Sequence, residues 1–333
     1  MRSAVRHTAA VRRALRAAAA DLPAGTDAVT VGVSGGGDSL ALVAAACAEG
    51  FGVRAVVVDH GLQPGSATVA ARAAATCRDL GAEAEVVAVT VDGPGEGPAR
   101  DARYRALGRA ARGPLAVGHT ADDDAEGVML GLARGSGTTS LAGLAPVTVD
   151  HPAVAAGATL LWRPLLRVTR EQTYGSCAEL GLDPWRDPHN ASPDVLRSRL
   201  RHEVMPLLRE VLGEAVGANL ARSARLLRED DDALRALTPT PGPGPLPVAT
   251  LAGLPAALRR RTVRAWLRGR AGALTAAHLG AVDALVADWH GQGPVSVPWP
   301  STMDAARRAD LRLVVARRDA DLVLDEQPRK RHV

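Results

Sequence analysis

The sequence has almost no lysine: of its 40 basic side chains only Lys330 is not an arginine. Its positive charge therefore sits on groups that grip phosphate through a planar fork of donors. With a formal charge of +4 and a pI of about 9.5, a polyanionic partner is permitted. Cysteine is scarce too. Cys47, Cys77 and Cys177 are odd in number, far apart and without a Cys-x-x-Cys pair, which argues against a disulfide framework or structural zinc. Three indifferent thiols fit a reducing cytosol, so a cytoplasmic location is expected. No stretch approaches roughly eighteen apolar residues, so no membrane span and no membrane partner are expected. The apolar run Ala17–Ala20 meets Asp21 too soon to be a signal-peptide core. Acids are missing between Leu251 and Val282.

What is present is organised around Ser34-Gly35-Gly36-Gly37-Asp38-Ser39. The β-branched run 28–33 before it reads as a strand, and the apolar run 40–46 after it as a buried helix. Strand, glycine turn and helix is the setting in which backbone N–H groups and a helix N-terminus face an anion. Helix capping would account for Asp38 or Ser39, but it needs no glycine run. The loop lacks the lysine of the Walker phosphate loop and the glycine spacing of the dinucleotide fingerprint.

Further along, the valine-rich segment 53–58 suits a central parallel strand, with Asp59 and His60 at its carboxyl end, where open α/β sheets place ligands. Segments 85–91, 113–118 and 160–166 read as further strands, with helices between them. On a helix over 99–107, Arg100, Arg103 and Tyr104 share one face. His119 and Thr120 end the fourth strand, and Asp122, Asp123, Asp124 and Glu126 fill the first turn of the next helix. Acids there complement the helix dipole, yet four in five residues exceed that need. Their repulsion calls for a cation: Mg²⁺, a ligand ammonium, or both. Arg197 and Arg201 share a helical face and Arg199 does not.

The proline-rich stretch 239–247 reads as a linker. Beyond it a helix over 251–270 carries Arg260, Arg264 and Arg268 at spacing four, with no acid nearby. A solvated face normally mixes signs, so this stripe points to RNA. Strand-like segments near 294–299 and 311–316 close a small domain. The expected fold is α/β: a doubly wound, mostly parallel sheet, then a helical segment and a small C-terminal α/β domain. The expected divisions are a main domain with the glycine loop over 1–207, a connector over 208–238, a linker over 239–248, an RNA-binding domain over 249–320 and a flexible tail over 321–333.

The glycine loop resembles the pyrophosphate (PP) loop of the N-type ATP pyrophosphatases. Val58-Asp59-His60-Gly61-Leu62, Ala99-Arg100-x-x-Arg103-Tyr104, Gly118-His119-Thr120-x-Asp122-Asp123-x-x-Glu126, Arg134-Gly135-Ser136-Gly137, Arg163-Pro164-Leu165-Leu166 and Asp187-x-x-Asn190 follow in order. Together with the loop, this set resembles the tRNA(Ile)-lysidine synthetase family. The resemblance implies ATP-dependent replacement of the C2 oxygen of a wobble cytidine by L-lysine, in the isoleucine tRNA with a CAU anticodon. It implies that residues 34–39, Asp59, His60 and His119 hold ATP, with Asp38 and Asp122 on Mg²⁺. Asp123 and Glu126 would serve the lysine amine, and Arg100 and Arg103 the phosphate charge. Arg197, Arg201, Arg260, Arg264 and Arg268 are expected on tRNA, and a homodimer is one option for the assembly. The chain departs from the family pattern at Asp124, Gly127 and Ser198, where Gln, Thr and Asn are common. Asp124 is expected to add negative charge beside the site.

Overall fold

The structure is a computed structural model and describes residues 5–59, 61, 65–90, 96–135, 137–186 and 196–329. His60, Leu62, Ser136, Asp187, Asn190 and Lys330 lie outside the described residues. The chain divides into two compact units, Met1–Arg228 and Glu229–Val333.

In the first unit the elements run α1 (Arg6–Ala18), β1 (Ala28–Val33), α2 (Gly37–Ala48), β2 (Gly52–Asp59), α3 (Ser66–Asp79), β3 (Glu83–Ala88), α4 (Glu96–Ala110), β4 (Leu115–Val117) and α5 (Ala121–Ala133). They continue through α6 (Thr138–Leu141), β5 (Val147–Thr148), α7 (Pro152–Ala155), β6 (Leu161–Trp162), α8 (Arg170–Glu179), α9 (Leu196–Arg199), α10 (Met205–Leu212) and α11 (Val216–Ala236), whose residues from Glu229 onward fall in the second unit. The strand order is β3-β2-β1-β4-β6-β5, parallel throughout except for β5 against β6. β1 and β2 lie inside this sheet and their valines are buried, apart from the half-buried Val58, as strands covered on both faces require. The chain winds outward from β1 in one direction and from β4 in the other. The carboxyl ends of β1 and β4 therefore flank the point where the order reverses, the place such sheets offer a ligand. Val31, Ala41, Leu42, Val43 and Trp162, all fully buried, form the core beneath it.

The helical connector expected over 208–238 contains two helices, the end of α10 and α11, because Gly213 at φ +94° ends the first. Between α9 and α10, residues Leu200–Val204 make a π-helical turn, a distortion that tends to mark working sites.

The second unit holds β7 (Leu246–Pro247), α12 (Val248–Ala252), α13 (Ala256–Leu267), α14 (Ala276–Ala287), β8 (Val295–Val297), α15 (Ala305–Asp310), β9 (Leu311–Arg318) and β10 (Asp321–Pro328). The sheet is antiparallel in the order β7-β10-β9-β8, with Leu251, Leu267, Leu285 and Leu322 in its core. Two expectations are corrected here. Residues 321–328 are not a flexible tail but a strand paired with β9 along its whole length. The hairpin turns at Asp319, whose φ of +50° an aspartate tolerates. The end of the proline-rich stretch supplies β7. Among the described residues no helix is long and apolar enough to cross a membrane.

Candidate active site

The glycine loop leaves β1 and enters α2 with Gly36 as N-cap, so Asp38 stands in the helix's first turn. Gly35 takes φ +81°, which glycine adopts without strain. The Ser39 hydroxyl donates to the Gly36 carbonyl at 2.9 Å, and the Ser34 N–H donates to Ser39 Oγ at 3.3 Å. The Trp185 N–H donates to the Gly35 carbonyl at 3.0 Å. The loop is thus tied at both ends while the helix N-terminus favours negative charge.

The end of β4 closes against this turn. A Cβ on Gly118 would lie 2.8 Å from the Asp38 carbonyl oxygen and 3.0 Å from the Ser39 nitrogen. Both obstacles are backbone and cannot rotate away. Gly118→Ala is therefore expected to cost about 1–3 kcal/mol by overpacking and to displace Asp38. Denaturant midpoints and ATP affinity should fall together; an unchanged affinity would show that the loop tolerates the shift.

Asp122, Asp123 and Glu126 project from the start of α5. Arg170, the first residue of α8, joins all of them to the loop. Its backbone N–H donates to Asp122 Oδ2 at 2.7 Å. Its guanidinium donates to Asp123 Oδ1 at 2.9 Å and Glu126 Oε1 at 3.2 Å, and its Nε lies 3.5 Å from Asp38 Oδ2. The Thr173 hydroxyl, one turn on, donates to Asp38 Oδ1. Burial pushes the Asp38 carboxyl above its usual value despite Arg170 and Thr173. For Asp123 burial acts the same way, but the charges and hydrogen bonds around it, Arg170 foremost, outweigh it and hold the carboxyl low. The four carboxylates hold the Arg170 guanidinium firmly in its charged form, against the pull of burial.

Arg197 and Arg201, expected on nucleic acid, turn inward to the acids instead. Arg201 donates to Glu126 Oε1 at 2.7 Å and Oε2 at 2.9 Å, and to Asp123 Oδ1 at 3.4 Å. Arg197 Nε lies 3.3 Å from Glu126 Oε2. A glutamate side chain only 2 % exposed needs such counter-ions. Arg199 pairs with Glu203 on the outer face, as the helical spacing predicts.

Asp124, expected to add negative charge beside the site, is occupied within the fold. Its carboxylate is buried, accepts the Leu144 N–H at 2.5 Å and anchors that turn, and burial raises its carboxyl. Asp122 has both oxygens engaged, Oδ2 by the Arg170 N–H and Oδ1 by Arg209 at 3.2 Å. Among the described residues no three His, Cys, Asp or Glu side chains converge as a metal cage. Mg²⁺ needs only one or two carboxylates beside phosphate oxygens. Asp38, next to the loop, fits that requirement once its 3.5 Å contact to Arg170 yields, and Asp122 does so by releasing Arg209.

Arg100 and Arg103 flank the buried Tyr104 ring, at 5.7 and 5.2 Å from its centroid. Both raise the positive potential at His119. Asp59 ends β2 and accepts the Gly61 N–H at 3.0 Å. In the second unit, Arg260 pairs with the buried Asp283 at 3.2 Å, alongside Arg259. Arg264 is exposed on α13, and Arg268 lies one residue past the end of that helix. The spacing-four stripe therefore stops at Arg264. Arg170, Thr173 and Arg209 escape a reading of the sequence, and Arg163 is marked there only as part of a motif, without a role. Arg170 carries one local signal: a cation at a helix N-terminus opposes the dipole unless acids meet it.

A glycine loop at the topological switch point of a parallel sheet, opposed by an acidic helix, defines a nucleotide-binding protein of the PP-loop class. The PP-loop domain pattern matches residues 7–208, and that of the TilS substrate binding domain matches residues 246–320. The chain belongs to the tRNA(Ile)-lysidine synthase family. It is 49% identical over 331 residues to the tRNA(Ile)-lysidine synthase of Nocardia farcinica, covering 96% of this chain and 98% of that one. To the tRNA(Ile)-lysidine synthase of Rhodococcus erythropolis it is 48% identical over 316 residues, covering 91% of each. Among solved structures, the U34-tRNA thiolase NcsA from Methanococcus maripaludis shares the fold with a TM-score of 0.53 at 20% identity, over 67% of this chain and 80% of that one.

Proposed function

We propose that this protein ligates L-lysine to C2 of the wobble cytidine in the CAU-anticodon isoleucine tRNA, using ATP and forming lysidine. One observation carries the reading: Arg170 joins the phosphate-binding turn at Asp38 to the acidic cluster of Asp123 and Glu126. The phosphate-binding turn and an acidic cluster suited to a cation thus lie side by side. Residues 34–39 hold the ATP phosphates. The cytidine O2 attacks the α-phosphorus and pyrophosphate leaves, which turns O2 into part of an AMP leaving group. The lysine ε-amine then bonds to C2, the C2–O2 bond breaks, AMP departs and the amine gives up a proton.

Asp38 is the residue to hold Mg²⁺, which when bound offsets charge on the phosphates. Asp123 and Glu126 orient the ε-amine, which competes there with Arg197 and Arg201. Arg100 and Arg103 face phosphate charge. The wobble base is splayed out to enter, as single-stranded bases can be. Such chemistry belongs in the cytoplasm, where tRNA, ATP and lysine meet. A thiolating enzyme of the same fold would need reactive paired cysteines. Here burial pushes the Cys77 and Cys177 thiols up to about 12, which makes them poor nucleophiles.

The test is incorporation of labelled lysine into that isoleucine tRNA with ATP and Mg²⁺, against the methionine elongator tRNA with the same anticodon. Incorporation into the first alone is expected. AMP formation without incorporation would reopen the choice of nucleophile. In the second unit, replacing Arg260, Arg264 and Arg268 together with Ala is expected to weaken tRNA binding. The slope of log affinity against log salt should fall by about two; an unchanged slope would return these residues to a solvated face.

A further inference from the structure

His119 follows Gly118, whose close approach to the Asp38 carbonyl places the histidine beside the first turn of α2. Its Nδ1 lies 3.2 Å from Arg163 Nε. Arg163 is 5% exposed and rigidly held: its Nη1 donates to the Ala145 carbonyl at 2.7 Å and to Thr148 Oγ1 at 2.8 Å. Both acceptors lie in or just before the antiparallel strand β5, so the short edge of the sheet sets the direction of this guanidinium.

A guanidinium has only donors and keeps its charge at any physiological pH. The ring nitrogen that faces it must therefore accept. A neutral imidazole has one accepting and one donating nitrogen, so acceptance at Nδ1 places the proton on Nε2. A second proton, on Nδ1, would set an N–H against Arg163 and break this bond. The surroundings act in the same sense. Burial, followed by Arg163, Arg103 and Arg100, outweighs the opposing attraction of Asp123 and holds the imidazole at about 3.

We propose that Arg163 is a positioning residue that fixes His119 as a neutral imidazole whose Nε2–H donates to a phosphate oxygen of the bound nucleotide. His119 then cannot be the base that takes the lysine proton, because its accepting nitrogen is occupied and its other nitrogen already carries hydrogen. The donor role rests on the reading of residues 34–39 as the nucleotide site; the tautomer does not.

The tautomer is measured directly by two-bond ¹H–¹⁵N spectra of ¹⁵N-histidine-labelled protein, with His119 assigned by its absence in His119→Gln. The Nε2–H pattern is expected to persist from pH about 8 to about 5, a range in which an unperturbed imidazole, near 6.5, would titrate. In Arg163→Met the signal should change to a tautomer mixture that titrates. An Nδ1–H pattern, or a cationic ring at neutral pH in the unaltered protein, would overturn the assignment to Arg163, even if Arg163→Met does not fold.

The donor role is read from ATP binding in the presence of Mg²⁺. A glutamine amide reaches the place of Nε2 and donates, whereas leucine fills the space without a donor. ATP affinity should fall about tenfold or more in His119→Leu and stay within about threefold in His119→Gln. Equal losses in the two variants would overturn the donor role. Failure of lysine incorporation would instead count against the proposed reaction and leave both of these results decisive.

Discussion

Asp38→Ala is expected to abolish adenylation of the tRNA while the protein stays folded and still binds tRNA. Asp38 is the carboxylate that the first turn of α2 presents beside the glycine loop. It is also the acid there that fits a metal held between protein and phosphate. Its contribution appears as charge builds on the departing pyrophosphate, so its loss lowers the rate far more than it loosens the ground state. Metal-assisted stabilisation of a phosphoryl transition state is worth several kcal/mol, so the AMP-forming rate should drop by about three orders of magnitude. tRNA affinity, measured by filter binding, should hardly change. Thermal unfolding of the variant controls for misfolding, since Thr173 and Arg170 both lose a partner. Full turnover by Asp38→Ala would remove this residue from the mechanism.

The second large effect is structural and electrostatic together. Arg170→Ala withdraws the one guanidinium among the described residues that meets Asp38, Asp123 and Glu126. Arg201 and Arg197 continue to serve Glu126, while Asp123 keeps only the longer 3.4 Å contact to Arg201, so the burden falls on Asp123 and Asp38. Removing one partner of a buried ion pair costs about 3 kcal/mol, because the remaining charge is left in a poor solvent. The variant is expected to lose that stability near neutral pH, together with its activity.

The sign with pH follows from Asp123, whose carboxyl the folded protein holds below its ordinary 3.8. A depressed carboxyl contributes stability above the unfolded value, which is lost as pH falls through the folded one. Without Arg170 the burial of Asp123 prevails and its carboxyl rises, so the variant gains protons on folding instead of losing them. Its deficit relative to the parent should therefore be large near pH 7.5 and shrink toward pH ~4. Urea midpoints of both proteins at the two pH values give the answer. An equal deficit at both would show that Arg170 acts through packing alone. Arg170→Lys should recover part of the stability and little of the activity, since a point charge cannot bridge Asp123 and Glu126 as the fork does.

The sequence by itself determined every feature written in neighbouring residues. The strand 28–33, the turn with Gly35 at positive φ and the helix that begins beside Asp38 follow from β-branched run, glycines and apolar run in succession. The acidic start of α5 was equally legible, as was the separation of Arg199 from Arg197 and Arg201 on their helix. Such signals act over one to four positions, through backbone dihedrals, caps and helical periodicity.

Only the tertiary structure decided which charges meet. Asp38 and Thr173 are 135 positions apart, Asp123 and Arg170 are 47 apart, and Glu126 and Arg201 are 75 apart. No local pattern tells a guanidinium aimed at a buried carboxylate from one aimed at solvent or at tRNA. That is why Arg197 and Arg201 looked like surface cations, and why Asp124 looked like part of the site until the Leu144 turn claimed it. The strand β10 went unread for a related reason. Its short apolar run 322–324, flanked by acids, becomes a strand only when β9 supplies the partner hydrogen bonds and the face of Leu322 and Leu324 finds the core. A carboxylate's partner, like a strand's, is chosen by the low-dielectric interior that folding creates, and that interior does not exist until distant segments have packed.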